Sequence, residues 1–304
     1  MTEPAMSQPR VMDAVDVLVI GEALIDVVRS PGGDAEHVGG SPANVALGLG
    51  RLGVDVSLLT CIGRDARGTA IAEHLADSGV DVLERSYSDA ATSTAIATLA
   101  ADGSASYQFD VTWRLSSAVL PVHPRIVHTG SIAAFLAPGA VAVREHLASV
   151  GADEITFDPN VRPALIGSRE QALPVFEQTA RLASVVKLSD EDAEWLYPGA
   201  GPAEVLERIL ALGPRLAAIT LGGAGSMLAA GDFAVEVPVT AVDVVDTIGA
   251  GDTYMASLID SILAEGTDGL TRDAVERIGR RASRAAAVTV SRAGADLPTR
   301  AEIG

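Results

Sequence analysis

The stretch DTIGAGDTYM, Asp246 to Met255, sets two carboxylates on either side of Gly-Ala-Gly just where a helix should begin. Its glycines remove Cβ atoms from a turn and let the backbone approach a large group, while free N–H groups at a helix start bind anions. A lone Asp in a first helical turn is ordinarily a capping residue. Beside an anion site, however, a carboxylate at Asp252 is electrostatically awkward unless it handles a proton there. The stretch therefore raises two questions: which anion rests on Gly249, Ala250 and Gly251, and whose proton Asp252 takes.

Polar groups gather at five further places. GGSPAN pairs Gly39 and Gly40, which permit close approach to a ligand, with Asn44, which can donate and accept hydrogen bonds at a helix start. Asp26, in GEALID, reads either as an acceptor for polyol hydroxyls or as an exposed strand residue. In FDPNVRPAL, Asp158, Asn160 and Arg162 follow a buried strand; Arg162 suits a phosphate or a structural salt bridge. In VKLSDED, Ser189 and Asp192 fit a capping box, and Lys187 faces a nucleotide phosphate or pairs with a neighbouring acid. TLGGAGS, from Thr220 through Gly222 and Gly225 to Ser226, reads as a glycine-rich turn between strands, against which a nucleotide could lie.

These residues need a scaffold, and the hydrophobic pattern supplies one. VDVLVI, VSLLTCI, RIVHTG, ITFD, SVVKLS and LAAITLG read as strands. They alternate with helices over SPANVALGLGRLG, over RDARGTAIAEHLADSG opened by Asp65, and near 138–150, 168–184 and 201–212. Such alternation implies βαβ units: a mainly parallel sheet, helices on both faces, and ligands beyond the carboxyl ends of the strands. Residues 22–38 and 93–113 break the rhythm. The first is too long for an ordinary βα loop, and the second reads as a hairpin about Asp102-Gly103. Both are expected in a small projecting β-sheet, a lid on a single domain spanning 15–300.

Bulk properties exclude several classes. The 304 residues carry a formal net charge of −18, which argues against nucleic acid or an anionic membrane as partner. Lys187 is the only lysine among 22 basic residues. The single cysteine, Cys61, rules out an intramolecular disulfide framework and reads as core. No apolar run approaches the ~18 residues of a spanning helix, and the start MTEPAMSQPR lacks a signal-peptide pattern, so a soluble cytoplasmic protein is expected.

Taken in order, these segments resemble the ribokinase-like (PfkB) sugar kinases over residues 15–300. DTIGAGD is close to the family's C-terminal signature; GGSPANVALGLGRLG with IGRDARG resembles the N-terminal one, and GSIA (Gly130 to Ala133) is also similar. FDPNVRPAL, with Tyr107 and Trp113 in the lid segment, looks most like the bacterial fructokinase branch. The resemblance implies a doubly wound αβα sandwich with a small β-sheet lid. It implies that Asp252 takes the proton of the attacking sugar hydroxyl while Gly249, Ala250 and Gly251 form an anion hole for the γ-phosphate of ATP. It assigns sugar binding to Asp26, Gly39, Gly40, Asn44, Tyr107, Asn160 and Arg162. Nucleotide binding falls to Lys187, Ser189, Thr220, Gly222, Gly225 and Ser283. Asp246, Ile248, Thr289, Arg292 and Gly294 match positions that in many members bind a monovalent cation, largely through carbonyls. Many members carry Asn-x-x-Glu where this chain has Ser189 to Asp192, in a region linked to magnesium and phosphate. The expected activity is an ATP- and Mg2+-dependent kinase acting on a primary hydroxyl of a small sugar, with K+ as a further cofactor. Fructose is the first choice; 2-keto-3-deoxygluconate, ribose, nucleosides and a non-catalytic sugar-binding regulator are the alternatives. A homodimer paired through the lid is expected.

Overall fold

Runs of Val, Ile and Leu become strands because Cβ-branched and apolar side chains fit a pleated surface buried on both faces. The computed structural model describes residues 13–30, 33–99, 105–118, 120 and 122–304. MTEPAMSQPR and the Asp102-Gly103 tip lie outside the described residues. In chain order the strands are β1 (Asp13–Ile20), β2 (Leu24–Ser30), β3 (Gly33–Gly39), β4 (Val56–Leu59), β5 (Ile62–Gly63), β6 (Val80–Val82), β7 (Tyr87–Ser88), β8 (Thr94–Leu99), β9 (Ala105–Asp110), β10 (Val122–Gly130), β11 (Glu154–Asp158), β12 (Val185–Ser189), β13 (Leu216–Thr220), β14 (Ser226–Ala230) and β15 (Phe233–Val237).

Nine of these form one sheet in the order β15-β14-β13-β12-β11-β10-β1-β4-β6. It is parallel from β6 to β13, with β14 and β15 added antiparallel through the glycine-rich turn after Thr220. The helices are α1 (Ser41–Arg51), α2 (Ala66–Ala76), α3 (Gly139–Ser149), α4 (Pro163–Ile166), α5 (Arg169–Ala180), α6 (Asp190–Leu196), α7 (Pro202–Leu212), α8 (Ala250–Glu265), α9 (Arg272–Val290) and α10 (Arg300–Ile303). α1, α2, α8 and α9 share one apolar core with Val17, Val19 and Val185 of the sheet. On the opposite face, α5, α6 and α7 pack on Phe157, Val186 and Ile219, and α3 on Leu18 and Val127. The arrangement is the expected doubly wound αβα sandwich. Cys61 is buried in the α3 core. Among the described residues no helix is long and apolar enough to cross a membrane.

The two segments that break the alternation meet in a separate sheet of order β3-β2-β8-β9. β2 and β3 pair antiparallel, β8 and β9 pair antiparallel, and β2 runs parallel to β8. Trp113 departs from the expectation. It is buried in the main body, where its Nε1 donates to the Ala133 carbonyl at 3.0 Å and its ring lies against Gly139. The strand ends at Asp110, and three residues bring the chain back to the core.

Close packing of α1 on α8 fixes the geometry described below. A Cβ at Gly48 would meet Leu297 Cδ2 at 2.6 Å and Ala256 Cβ at 2.9 Å, so only glycine lets the two helices approach this closely. Asp65 caps α2 as the sequence suggests, accepting from Gly68 N–H at 2.8 Å. It also accepts from the Thr92 N–H at 2.8 Å and the Thr92 hydroxyl at 2.7 Å, and so ties the approach to β8 onto the main body. Asp65→Ala is expected to cost about 2 kcal/mol, the sum of a lost cap and an unpaired Thr92 N–H. The measurement is the urea midpoint, and a midpoint equal to the parent's would refute the double anchoring.

Candidate active site

Parallel strands bring their carboxyl ends and the following helix N-termini to one edge, and the polar segments of the sequence meet there. Gly249, in the left-handed conformation at φ 78, caps α8, and Asp252 lies in the first turn. The side chain of Asp252 is buried and accepts two hydrogen bonds from α1. Ser41 Oγ donates to Oδ1 at 2.6 Å and Asn44 Nδ2 donates to Oδ2 at 2.8 Å. Burial raises its pKa above the ordinary carboxylate range; Ser41, Asn44, Lys187 and Arg162 pull against that rise.

The only lysine sits beneath the Gly-Ala-Gly turn. Lys187 is 3% exposed, and its Nζ lies 2.8 Å from Asp158 Oδ2. Nζ is also 3.2 Å from where a Cβ on Gly251 would be. Burial favours a neutral amine, but Asp158, Asp192 and Asp252 outweigh it and Lys187 stays an ammonium with a raised pKa. Burial pushes Asp158 up to about 6 against the opposing charge of Lys187, so both partners are ionised at neutral pH. Of the two readings of Lys187, pairing with an acid is observed, and the ammonium borders the cleft as well.

Around this pair the loop after β11 is clamped. Asp192 Oδ1 accepts from Val161 N–H at 2.7 Å, and Oδ2 accepts from Ser189 N–H at 2.9 Å. Ser189 Oγ in turn accepts from Asp192 N–H, completing the expected capping box. Asn160 is held at φ 33 and donates its N–H to Asp158 Oδ1 at 3.2 Å. Arg162 makes no carboxylate salt bridge among the described residues. Its Nη1 donates to the carbonyls of Asn160 and Val161 at 3.2 and 3.0 Å, and its side chain lines the cleft.

The cleft itself holds about 790 Å³, bounded by Glu22, Asp26, Asn44, Arg162, Lys187 and Asp252. Asp26 is exposed at the small sheet, with a raised pKa caused by partial desolvation and opposed by His37 and Arg162. Its Oδ2 lies 2.0 Å from where a Cβ on Gly39 would be, which explains the glycine there. Gly40, at φ 105, caps α1. Tyr107 lies in β9 opposite Ala97, and its side chain is outside the described residues. A groove of about 850 Å³ along α6 is slightly larger, but neither Asp252 nor the glycine turn reaches it.

Next to this cleft, a narrower chamber of about 370 Å³ is lined by Gly222, Gly225, Val239, Val244, Tyr254 and Ser283. Thr220, Gly222, Thr247 and Gly251 line both spaces, so the two form one connected site. Ser283 Oγ donates to the Pro238 carbonyl at 3.3 Å, and Tyr254 OH and Ser226 Oγ are 2.9 Å apart at the chamber wall.

The five positions matched to a monovalent cation come together in part. Asp246 Oδ1 accepts from Ile248 N–H at 3.0 Å and Oδ2 from Gly294 N–H at 2.9 Å. Thr289 Oγ1 bonds Thr253 Oγ1 at 2.8 Å. Arg292 turns away, pairing with Asp296 and Glu302. The polar side chains among the five thus already hold partners.

Three groups escaped the sequence reading. Ser41 is inside GGSPAN, yet nothing local reveals that its hydroxyl bonds a residue 211 positions away. Glu22, in GEALID, is buried at the cleft wall; its Oε2 accepts from Ala133 N–H at 3.1 Å, and burial raises it to about 7 against bonds from Ser131 and Ala133. Ser131, at φ 51, and Asn160 are the non-glycine residues with positive φ among those described, and both line this cleft.

Residues 15–302 match the pfkB family of carbohydrate kinases. Fructokinase-1 of Oryza sativa is 31% identical over 94% of this chain and 96% of its own. A fructokinase of Xylella fastidiosa with bound ATP superposes with a TM-score of 0.81 at 25% identity, covering 94% of this chain and 96% of that one. A double-mutant fructokinase of Vibrio cholerae, bound to fructose, ADP and potassium ion, gives a TM-score of 0.83 at 25% identity over 97% and 98%.

Removing one member of a buried ion pair strands the other. Lys187→Met is therefore expected to destabilise the fold by about 3–5 kcal/mol at neutral pH, and adding Asp158→Asn should recover much of that loss. Urea unfolding checks both; a single variant as stable as the parent would show that the pair carries no such weight.

Proposed function

The chain belongs to the pfkB family of carbohydrate kinases and is a sugar phosphotransferase, and we propose that it moves the γ-phosphate of ATP to a primary hydroxyl of a small sugar, fructose first. The observation that carries this reading is the buried Asp252 carboxylate at the start of α8, next to a glycine turn and in contact with a polar cleft. In the proposed reaction the sugar hydroxyl gives its proton to Asp252, its oxygen bonds phosphorus, and the bond from phosphorus to the ADP oxygen breaks. N–H groups of Gly249, Ala250 and Gly251 and the ammonium of Lys187 stabilise charge on the transferred group. Asp26, Gly39, Gly40, Asn44, Asn160 and Arg162 hold the sugar. Ser189, Thr220, Gly222, Gly225 and Ser283 border the nucleotide, whose base takes the narrower chamber.

Support for fructose comes from the names of the relatives and from the fructose in the Vibrio cholerae protein. A sugar acid is the second reading, favoured by Arg162, which lines the cleft with no carboxylate partner among the described residues. Magnesium would enter with the nucleotide and neutralise phosphate charge. Among the described residues no group of three His, Cys, Asp or Glu is placed to hold it alone, and Asp192 is committed to backbone N–H groups. Potassium would be held by carbonyls of the 246–248 and 289–294 segments. The small sheet acts as a lid that closes over bound sugar and excludes water. Its open face, where Phe109 is 37% exposed at the rim of the same cleft, pairs two copies.

A sugar panel in a coupled ADP-release assay tests the activity, with fructose expected first and potassium expected to stimulate over sodium at fixed ionic strength. With the preferred sugar, Asp252→Asn should keep ATP and sugar binding but lose at least ~10²-fold in kcat. Near-parental turnover by that variant would rule out Asp252 as base, and turnover of none of the sugars would sink the substrate class.

Saturating sugar should also protect β2, β3, β8 and β9 from hydrogen exchange. Exchange unchanged in all four strands would mean a fixed sheet, and sedimentation of Phe109→Asp as the same species as the parent would remove the proposed pairing.

A further inference from the structure

We propose that Ser41 is a positioning residue for Asp252: its hydroxyl holds the ionised carboxylate for the incoming sugar, then reverses to accept a hydrogen bond from the proton that carboxylate has taken. The proposal rests on the reading of Asp252 as the base. A serine beginning a helix usually turns its oxygen back to the helix's own N–H groups. Here the cap is Gly40, α1 has no side-chain cap, and the Ser41 hydroxyl crosses to Asp252 Oδ1 at 2.6 Å. Both residues are under one-tenth exposed, at 9% and 7%, so water is scarce around the bond. Pro42 in the first turn and the tight contact at Gly48 keep α1, and with it Ser41, fixed against α8.

The two donors on Asp252 differ in what they can do next. Asn44 Nδ2 can only donate, and it keeps donating to Oδ2 whichever state the carboxyl adopts. Once Oδ1 carries a proton, that proton needs an acceptor, and a second donor aimed at the same oxygen becomes unfavourable. The serine hydroxyl has lone pairs and a free rotor, so it meets both demands by turning. The proton passes from the sugar oxygen to Oδ1, the oxygen bonds phosphorus, the phosphorus–ADP bond breaks, and Ser41 keeps its own proton throughout. Lys187 on β12, Arg162 after β11 and Asp158 on β11 are the other charges facing Asp252, and none changes in a Ser41 variant.

The test is the pH profile of kcat/KM for the parent, Ser41→Ala, Ser41→Thr and Asp252→Asn, with the sugar that the panel selects. Ser41→Ala should lower kcat about tenfold at unchanged sugar KM, the loss of one charge-assisted hydrogen bond. Its acidic limb should move to higher pH, because the missing donor favoured the ionised carboxylate. Ser41→Thr, which keeps the hydroxyl, should retain the parent's limb. A Ser41→Ala limb at the parent's position, whatever its kcat, overturns the proposal, as does a Ser41→Thr limb displaced as far as that of alanine. Full activity of Asp252→Asn would instead overturn the base reading itself and the role of Ser41 with it.

Discussion

A carboxylate buried beside the cleft that we propose receives ATP is the constraint on which this molecule depends. Asp252 needs compensation, but a rigid salt bridge to it would take away the basicity that the proposed reaction requires. The solution is dispersed: two neutral donors from α1, the positive ends of α1 and α8, and an ammonium already matched to Asp158. A chain of net charge −18 thereby gathers donors and an ammonium around one buried carboxylate. The doubly wound sheet makes this affordable, since parallel strands deliver every one of these groups to the same edge.

Much of this was legible in the sequence wherever the governing contacts are local. The capping box at Ser189 and Asp192, the Asp65 cap and the glycine turn before Asp252 follow from neighbours within four residues, and the structure shows each. The alternation of elements likewise gave the sandwich. What stayed hidden depends on which distant segments the sheet order brings together. Lys187 offered two partners in the sequence, and only the adjacency of β11 and β12 picks Asp158. Arg162 looked ready for a salt bridge and found carbonyls instead. Trp113, three residues past its strand, was absorbed by the core because the nearest large apolar space lies under α3 and not on the small sheet.

Asp192 illustrates how a short side chain can join two segments. Its two oxygens accept from the N–H groups of Val161 and Ser189, fastening the loop that carries Asn160 and Arg162 to the end of β12. That fastening supports the unfavourable φ of Asn160, which presents its polar atoms to the cleft. Ser131 is held in a comparable conformation on the opposite wall, where Glu22 braces the following residues. Among the described residues, positive φ at non-glycine positions is thus confined to the two loops that border the cleft.

The burial of Lys187 has a consequence for handling the protein. It is the only lysine, and in the folded state its amine is enclosed by Asp158 and the turn at Gly251. Acylating reagents aimed at side-chain amines meet none on the surface, so the folded protein offers no lysine side chain for cross-linking, dye attachment or resin coupling. Uptake of such a reagent at position 187 would report opening of the cleft floor, with no competing lysine to obscure the signal.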